Sequence, residues 1–66
     1  MELLILKSAT GYIRVKEGRF LRVGLDKASV FPMDQMDLVK THEAHLKTQG
    51  FESVSIKKLI LSEEDI

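Results

Sequence analysis

The chain has 66 residues, ten basic and ten acidic side chains and no cysteine. That length allows one domain, spanning 1–66, which buries only about 60% of its unfolded surface and so has a marginal core of its own. The lack of cysteine excludes disulfides and thiolate metal sites, and the balanced charge gives no general pull toward nucleic acid or anionic lipid.

The N-terminal stretch MELLILK carries a short apolar run preceded by Glu2. It fits neither a signal peptide nor a membrane span, so the expectation is a cytoplasmic protein without membrane contact. Within it, Leu4 and Leu6 alternate with Leu3 and Ile5, so both faces are apolar, as in a strand covered on both sides. Ser8-Ala9-Thr10-Gly11 reads as a turn.

Tyr12 to Leu25 reads as a β-hairpin around Lys16-Glu17-Gly18. A two-residue Glu-Gly turn sets Ile13 opposite Arg22 and Leu21 opposite Arg14, mixing apolar and charged groups. A three-residue loop ending in Gly18 pairs Ile13 with Leu21 and Tyr12 with Arg22, which burial favours. That register expects one face made of Ile13, Val15, Leu21, Val23 and Leu25. The other then carries Tyr12, Arg14, Lys16, Phe20 and Arg22. Asp26 to Ala28 turns, and Ser29-Val30-Phe31 is extended because Pro32 keeps Phe31 out of the helical region.

Pro32 to Gly50 has the marks of a helix. Pro32 suits its first turn, Asp34 and Asp37 complement the positive end of its dipole, and Gly50 suits the left-handed position after its last turn. Leu38, Val39, His42, His45, Leu46 and Gln49 form one stripe opposite Asp37, Lys40, Glu43 and Lys47, so one side of the helix lies on something apolar. Ser53 to Ser62 reads as a last strand with a bulge at Lys57-Lys58, where the alternation slips. Residues 62–66 form an acidic tail expected to fray.

The order β-β-β-α-β predicts an α+β fold: a three-stranded antiparallel meander, one amphipathic helix on one face, and a final strand beside the first. The apolar Leu59, Ile60 and Leu61 then sit on an edge that invites pairing with another chain, so a homodimer contact is expected there. The runs LLILK, GYI and LDKASVF, followed by the amphipathic helix and a last strand, resemble very short uncharacterised bacterial and phage-encoded proteins. The resemblance implies a hairpin-plus-helix fold and no activity.

Two constellations could carry function. His42 and His45 share a helix face at i and i+3, but the zinc-protease spacing is i and i+4 and no third ligand is evident, so no metal or other cofactor is expected. Tyr12, Arg14, Lys16, Phe20 and Arg22 form an aromatic and cationic surface suited to an as yet unidentified protein partner or, as the alternative, to single-stranded nucleic acid. No phosphate loop, nucleophile elbow or fixed carboxylate pair is present, so catalysis is not expected. The sequence therefore predicts a self-associating adaptor module.

Overall fold

A computed structural model describes residues 1–63. The strands are β1 (Glu2–Ser8), β2 (Gly11–Lys16), β3 (Arg19–Val23), β4 (Val30–Pro32) and β5 (Ser55–Ile60), with one helix, α1 (Met36–Thr48), between β4 and β5. The α+β class, the antiparallel sheet, the single helix and the return of the last strand beside the first all stand. The strand count differs, because the extended piece before Pro32 pairs with β1 and becomes a fifth strand.

β1 is the centre of the sheet. One of its edges is shared: Lys7 and Ser8 pair with β2, whereas Leu3, Leu4 and Ile5 pair with Pro32, Phe31 and Val30 of β4. The other edge pairs with β5 over six consecutive residues, Glu2 to Lys7 against Ile60 to Ser55. That register is unbroken, so the bulge expected at Lys57-Lys58 is absent. Phase is kept instead by sending Ile56 and Lys58 to the helix side and Lys57 and Leu59 to the other.

Hydrogen-bond parity explains where Pro32 can sit. The Leu61 N–H donates to the Met1 carbonyl at 2.8 Å and the Met1 amino group donates to the Leu61 carbonyl at 3.0 Å. Antiparallel ladders alternate, so Leu3, Ile5 and Lys7 also bond toward β5, while Leu4 and Leu6 bond toward the opposite edge. Pro32 lies opposite Leu3, at a position that asks no N–H of it. Its backbone is extended (φ −60°, ψ 154°). The expected first helical residue is therefore a strand residue, and the helix starts later, through a 3-10 turn over Met33–Gln35.

The C-terminal end of α1 is as the sequence implies. Gly50 has φ +92°, and the Phe51 N–H donates to the Leu46 carbonyl at 3.1 Å while the Gly50 N–H donates to that of Lys47 at 3.3 Å. This is the double bond pattern of a glycine-terminated helix, closed by an apolar contact from Phe51. The buried stripe is rotated from the one expected. Val39 and Leu46 are fully buried and Met36 and His42 partly so, whereas Leu38 is 45% exposed and His45 and Gln49 are exposed.

The core lies between α1 and one face of the sheet: Leu4, Leu6, Ile13, Val39, Leu46 and Val54, with Val15, Phe20, Phe31, Met36, Phe51 and Ile56 packed around them. The hairpin joining β2 and β3 takes the register that the apolar pattern disfavours. Ile13 pairs with Arg22, Arg14 with Leu21 and Val15 with Phe20. The turn is the two-residue Glu17-Gly18, both with positive φ (52° and 74°), which matches the twist of the flanking strands. What the register gains is Phe20. Its ring enters the core beside Val15, and a phenyl group buries more apolar area than the Leu21 side chain left outside, which is 42% exposed.

Glu17 is the costly residue in this turn, because a left-handed backbone is unfavourable for most side chains and tolerated by Asn. Glu17→Asn is expected to raise stability by roughly 0.5–1 kcal/mol. Gly18→Val is expected to lower it by about 1–2 kcal/mol, since valine meets the same left-handed penalty. Urea unfolding of both variants checks the turn, and a destabilised Glu17→Asn would contradict this register.

Candidate functional site

The register divides the five residues expected to share one binding face. Residues paired across strands lie on the same side of a sheet, and successive residues alternate. Phe20 and Arg22 therefore belong with Ile13 and Val15 on the helix side, whereas Tyr12, Arg14 and Lys16 lie on the far side with Arg19, Leu21 and Val23. The single aromatic and cationic platform is thus split by the hairpin's one-residue shift.

On the helix side, Phe20 and Phe31 hold the His42 imidazole between them. The centroid separations are 5.6 Å, edge-on, to Phe20 and 5.8 Å, tilted, to Phe31. His42 is thereby a link between the helix, the hairpin and β4. Burial, followed by the neighbouring His45, lowers its pKa from 6.5. Among the described residues no three metal-ligating side chains come together.

Arg22 lies at the rim of the same side, its guanidinium 5.7 Å from the Phe51 ring centroid. It lines an open cleft of about 230 Å³ with Ser8, Ala9, Thr10, Gly50 and Glu52. Ser8 is buried, but its hydroxyl donates to the Gly11 carbonyl at 3.3 Å, and the Ala9 N–H donates to the Glu52 carbonyl at 3.1 Å. The first bond closes the β1–β2 turn, and the second ties it to the segment after the helix.

The far side is different in kind. Pairing places Leu3, Ile5 and Lys7 of β1, Tyr12, Arg14 and Lys16 of β2, Arg19, Leu21 and Val23 of β3, Val30 and Pro32 of β4, and Lys57 and Leu59 of β5 on it. The strands thus contribute the cations Lys7, Arg14, Lys16, Arg19 and Lys57 to this face, all exposed, and no carboxylate. The Lys7 ammonium lies 5.5 Å from the Tyr12 ring centroid. Lys7, Arg19 and Lys57 could be assigned to this face only through strand pairing, because nothing local in the sequence groups them.

The remaining feature is the outer edge of β5, which pairs with no strand among the described residues. Parity sends the N–H and C=O groups of Ile56, Lys58 and Ile60 toward that edge. Of the expected contact residues, Leu59 is partly buried, Ile60 is 66% exposed and Leu61 is 45% exposed. Lys58 forms an ion pair with Glu2 at 3.0 Å, half-exposed on both sides and worth little to stability.

No helix is long and apolar enough to cross a membrane, a statement that covers the described residues. No protein-family model, curated protein or solved structure matches the chain.

His42 makes stability depend on pH. A lowered pKa means that the folded protein binds this proton less tightly than the unfolded chain does. The contribution is complete above 6.5, the ordinary histidine value, and is lost as pH falls through the lowered one. The melting temperature is expected to drop between pH 7.5 and 5.5. In His42→Leu, which keeps an apolar group between the two phenyl rings, that drop should shrink. An equal drop in both proteins would remove His42 as its cause.

Proposed function

We propose that this chain is a non-catalytic binding module that works as a pair of copies joined through β5. The observation that supports the reading is the free β5 edge, a full strand long, ending in Leu59, Ile60 and Leu61. An edge of this kind is a template for another strand. The need is also present: among the described residues the buried apolar set is seven side chains, small for independent stability at this length.

The lysines narrow the choice of register. Two copies of an antiparallel edge pair about a twofold axis, and the outward groups of Ile56, Lys58 and Ile60 must meet outward groups of the second copy. Centring the pair on Lys58 would face that lysine with itself, and centring it on Lys57 would do the same for its neighbour. Like charges directly opposite are destabilising. Centring on Leu59 sets Leu59 against Leu59, Lys58 against Ile60 and Lys57 against Leu61. The outward groups of Lys58 and Ile60 are then satisfied on both copies, and the apolar end of the strand is covered.

The adaptor role follows from what the pair leaves open. The twofold axis runs perpendicular to the sheet, so the far sides of both copies face the same way, and each remains available to a partner.

Sedimentation equilibrium at micromolar concentration tests the pairing, with a dimer expected. Ile60→Pro removes an N–H that points outward and leaves the bonds between β1 and β5 intact, so it is expected to give a folded monomer. Leu59→Pro removes a bond within the chain and is expected to unfold it. A wild-type monomer at all concentrations, or a dimer that survives Ile60→Pro unchanged, would overturn the reading.

A further inference from the structure

We infer that the far face of the sheet is a seat for the phosphate backbone of single-stranded nucleic acid. The inference goes beyond pairing through β5 and does not depend on it, because each copy carries the whole face. Its basis is charge segregation. The chain as a whole is neutral, with ten basic and ten acidic residues. Yet the strands place Lys7, Arg14, Lys16, Arg19 and Lys57 on one side with no acid among them.

The cations are arranged as a track. Lys16 and Arg19 are directly opposed at the hairpin end, and Arg14 follows on the same strand two residues back, about 6.6 Å away. Lys7 comes next, opposite Tyr12, and Lys57 next again, opposite Ile5. The series runs across the strands from the hairpin tip to β5. Opposed cations such as Lys16 and Arg19 repel in the free protein and become favourable only when an anion lies between them.

A second copy is a poor occupant, since face-to-face contact would bring five cations against five. Anionic lipid is less favoured, because the exposed apolar groups, Leu21 and Val30, lie on strands that do not pair with each other, while Ile5 is 3% exposed and Leu3, Val23 and Leu59 are partly buried. An acidic peptide would need regularly repeated carboxylates to follow the track, whereas phosphates repeat at every nucleotide. Tyr12 offers a ring for one base, and Leu21 and Val30 offer aliphatic seats for others. With one aromatic ring, affinity rests on phosphates and is independent of base sequence.

The magnitude follows from counterion release. Five neutralised phosphates on a single strand give a slope of log K on log salt of about −3.5, so raising salt from 50 to 200 mM weakens binding about a hundredfold. The test is fluorescence anisotropy of a labelled deoxythymidine oligomer of roughly 15 nucleotides, a length within known site sizes. Arg14→Ala and Lys16→Ala should each reduce the slope by about 0.7. Lys40→Ala, on the exposed side of α1, should leave it unchanged.

Ile60→Pro, which separates the copies, should keep the slope, so failure of the pairing and failure of this face are read apart. Four results would overturn the inference: no binding at about 100 µM protein in 50 mM salt, the weak end of non-specific affinity; Lys40→Ala acting like Arg14→Ala; poly-glutamate competing as well as the oligomer; or phosphatidylserine vesicles binding the protein as tightly. The last two would assign the face to an acidic protein or to a lipid surface instead.

Discussion

Everything in this molecule hangs on the burial of three consecutive residues in the middle of β1. Leu4, Ile5 and Leu6 are consecutive and all buried: Leu4 and Leu6 lie in the core under the helix, while Ile5, on the open face, is flanked by Val30 of β4 and Lys57 of β5. Three other strands are therefore drawn to it: β5 along one edge, β2 and β4 in series along the other. The series arises because β2 leaves β1 after Tyr12, and the space that opens is filled by β4. Ser29 makes the join. Its hydroxyl accepts the Val15 N–H at 2.8 Å, and its own N–H donates to the Ile13 carbonyl at 3.1 Å. The backbone groups that β2 turns away from β1 are thus satisfied by the segment that enters β4.

The hairpin decides which side of the sheet is which. A one-residue change in turn length moves every β3 side chain to the other face, and here the choice lies between Phe20 and Leu21 as the inward residue. Phe20 wins because its ring meets His42 on the helix, which packs in turn against Phe31 of β4. The same choice turns Arg19 outward and Arg22 inward, where its guanidinium reaches over Phe51 at the edge of the core. A packing preference at one residue thus fixes the distribution of charge over both faces.

This is also where sequence reasoning reached its limit. The central strand, the helix and its Gly50 terminus, and the return of the last strand beside the first were legible because each rests on local chemistry: an apolar run, a 3.6-residue period, a glycine free to turn left-handed. The hairpin register was not legible from the alternation of apolar residues, because the partners that reward burying Phe20 are distant in the chain. The φ of Pro32 suits a helix start and a strand equally, and only its pairing opposite Leu3 tells them apart. The cationic face was half legible: Tyr12, Arg14 and Lys16 alternate on one strand, while Lys7, Arg19 and Lys57 join them through pairing alone.

Charge and edge are two sides of one arrangement. Lys57 and Lys58 are adjacent in sequence and so point to opposite faces. Lys57 adds to the cationic face, and Lys58 meets Glu2 on the other. Together they interrupt an otherwise apolar edge, which limits the registers in which a second β5 can dock without facing like charges. A pair centred on Leu59 would join the two sheets with their cationic faces on the same side and bring the two Lys57 residues to either side of the paired Leu59 side chains. Each copy would keep its whole cationic track, so pairing would set two such surfaces side by side without completing either of them.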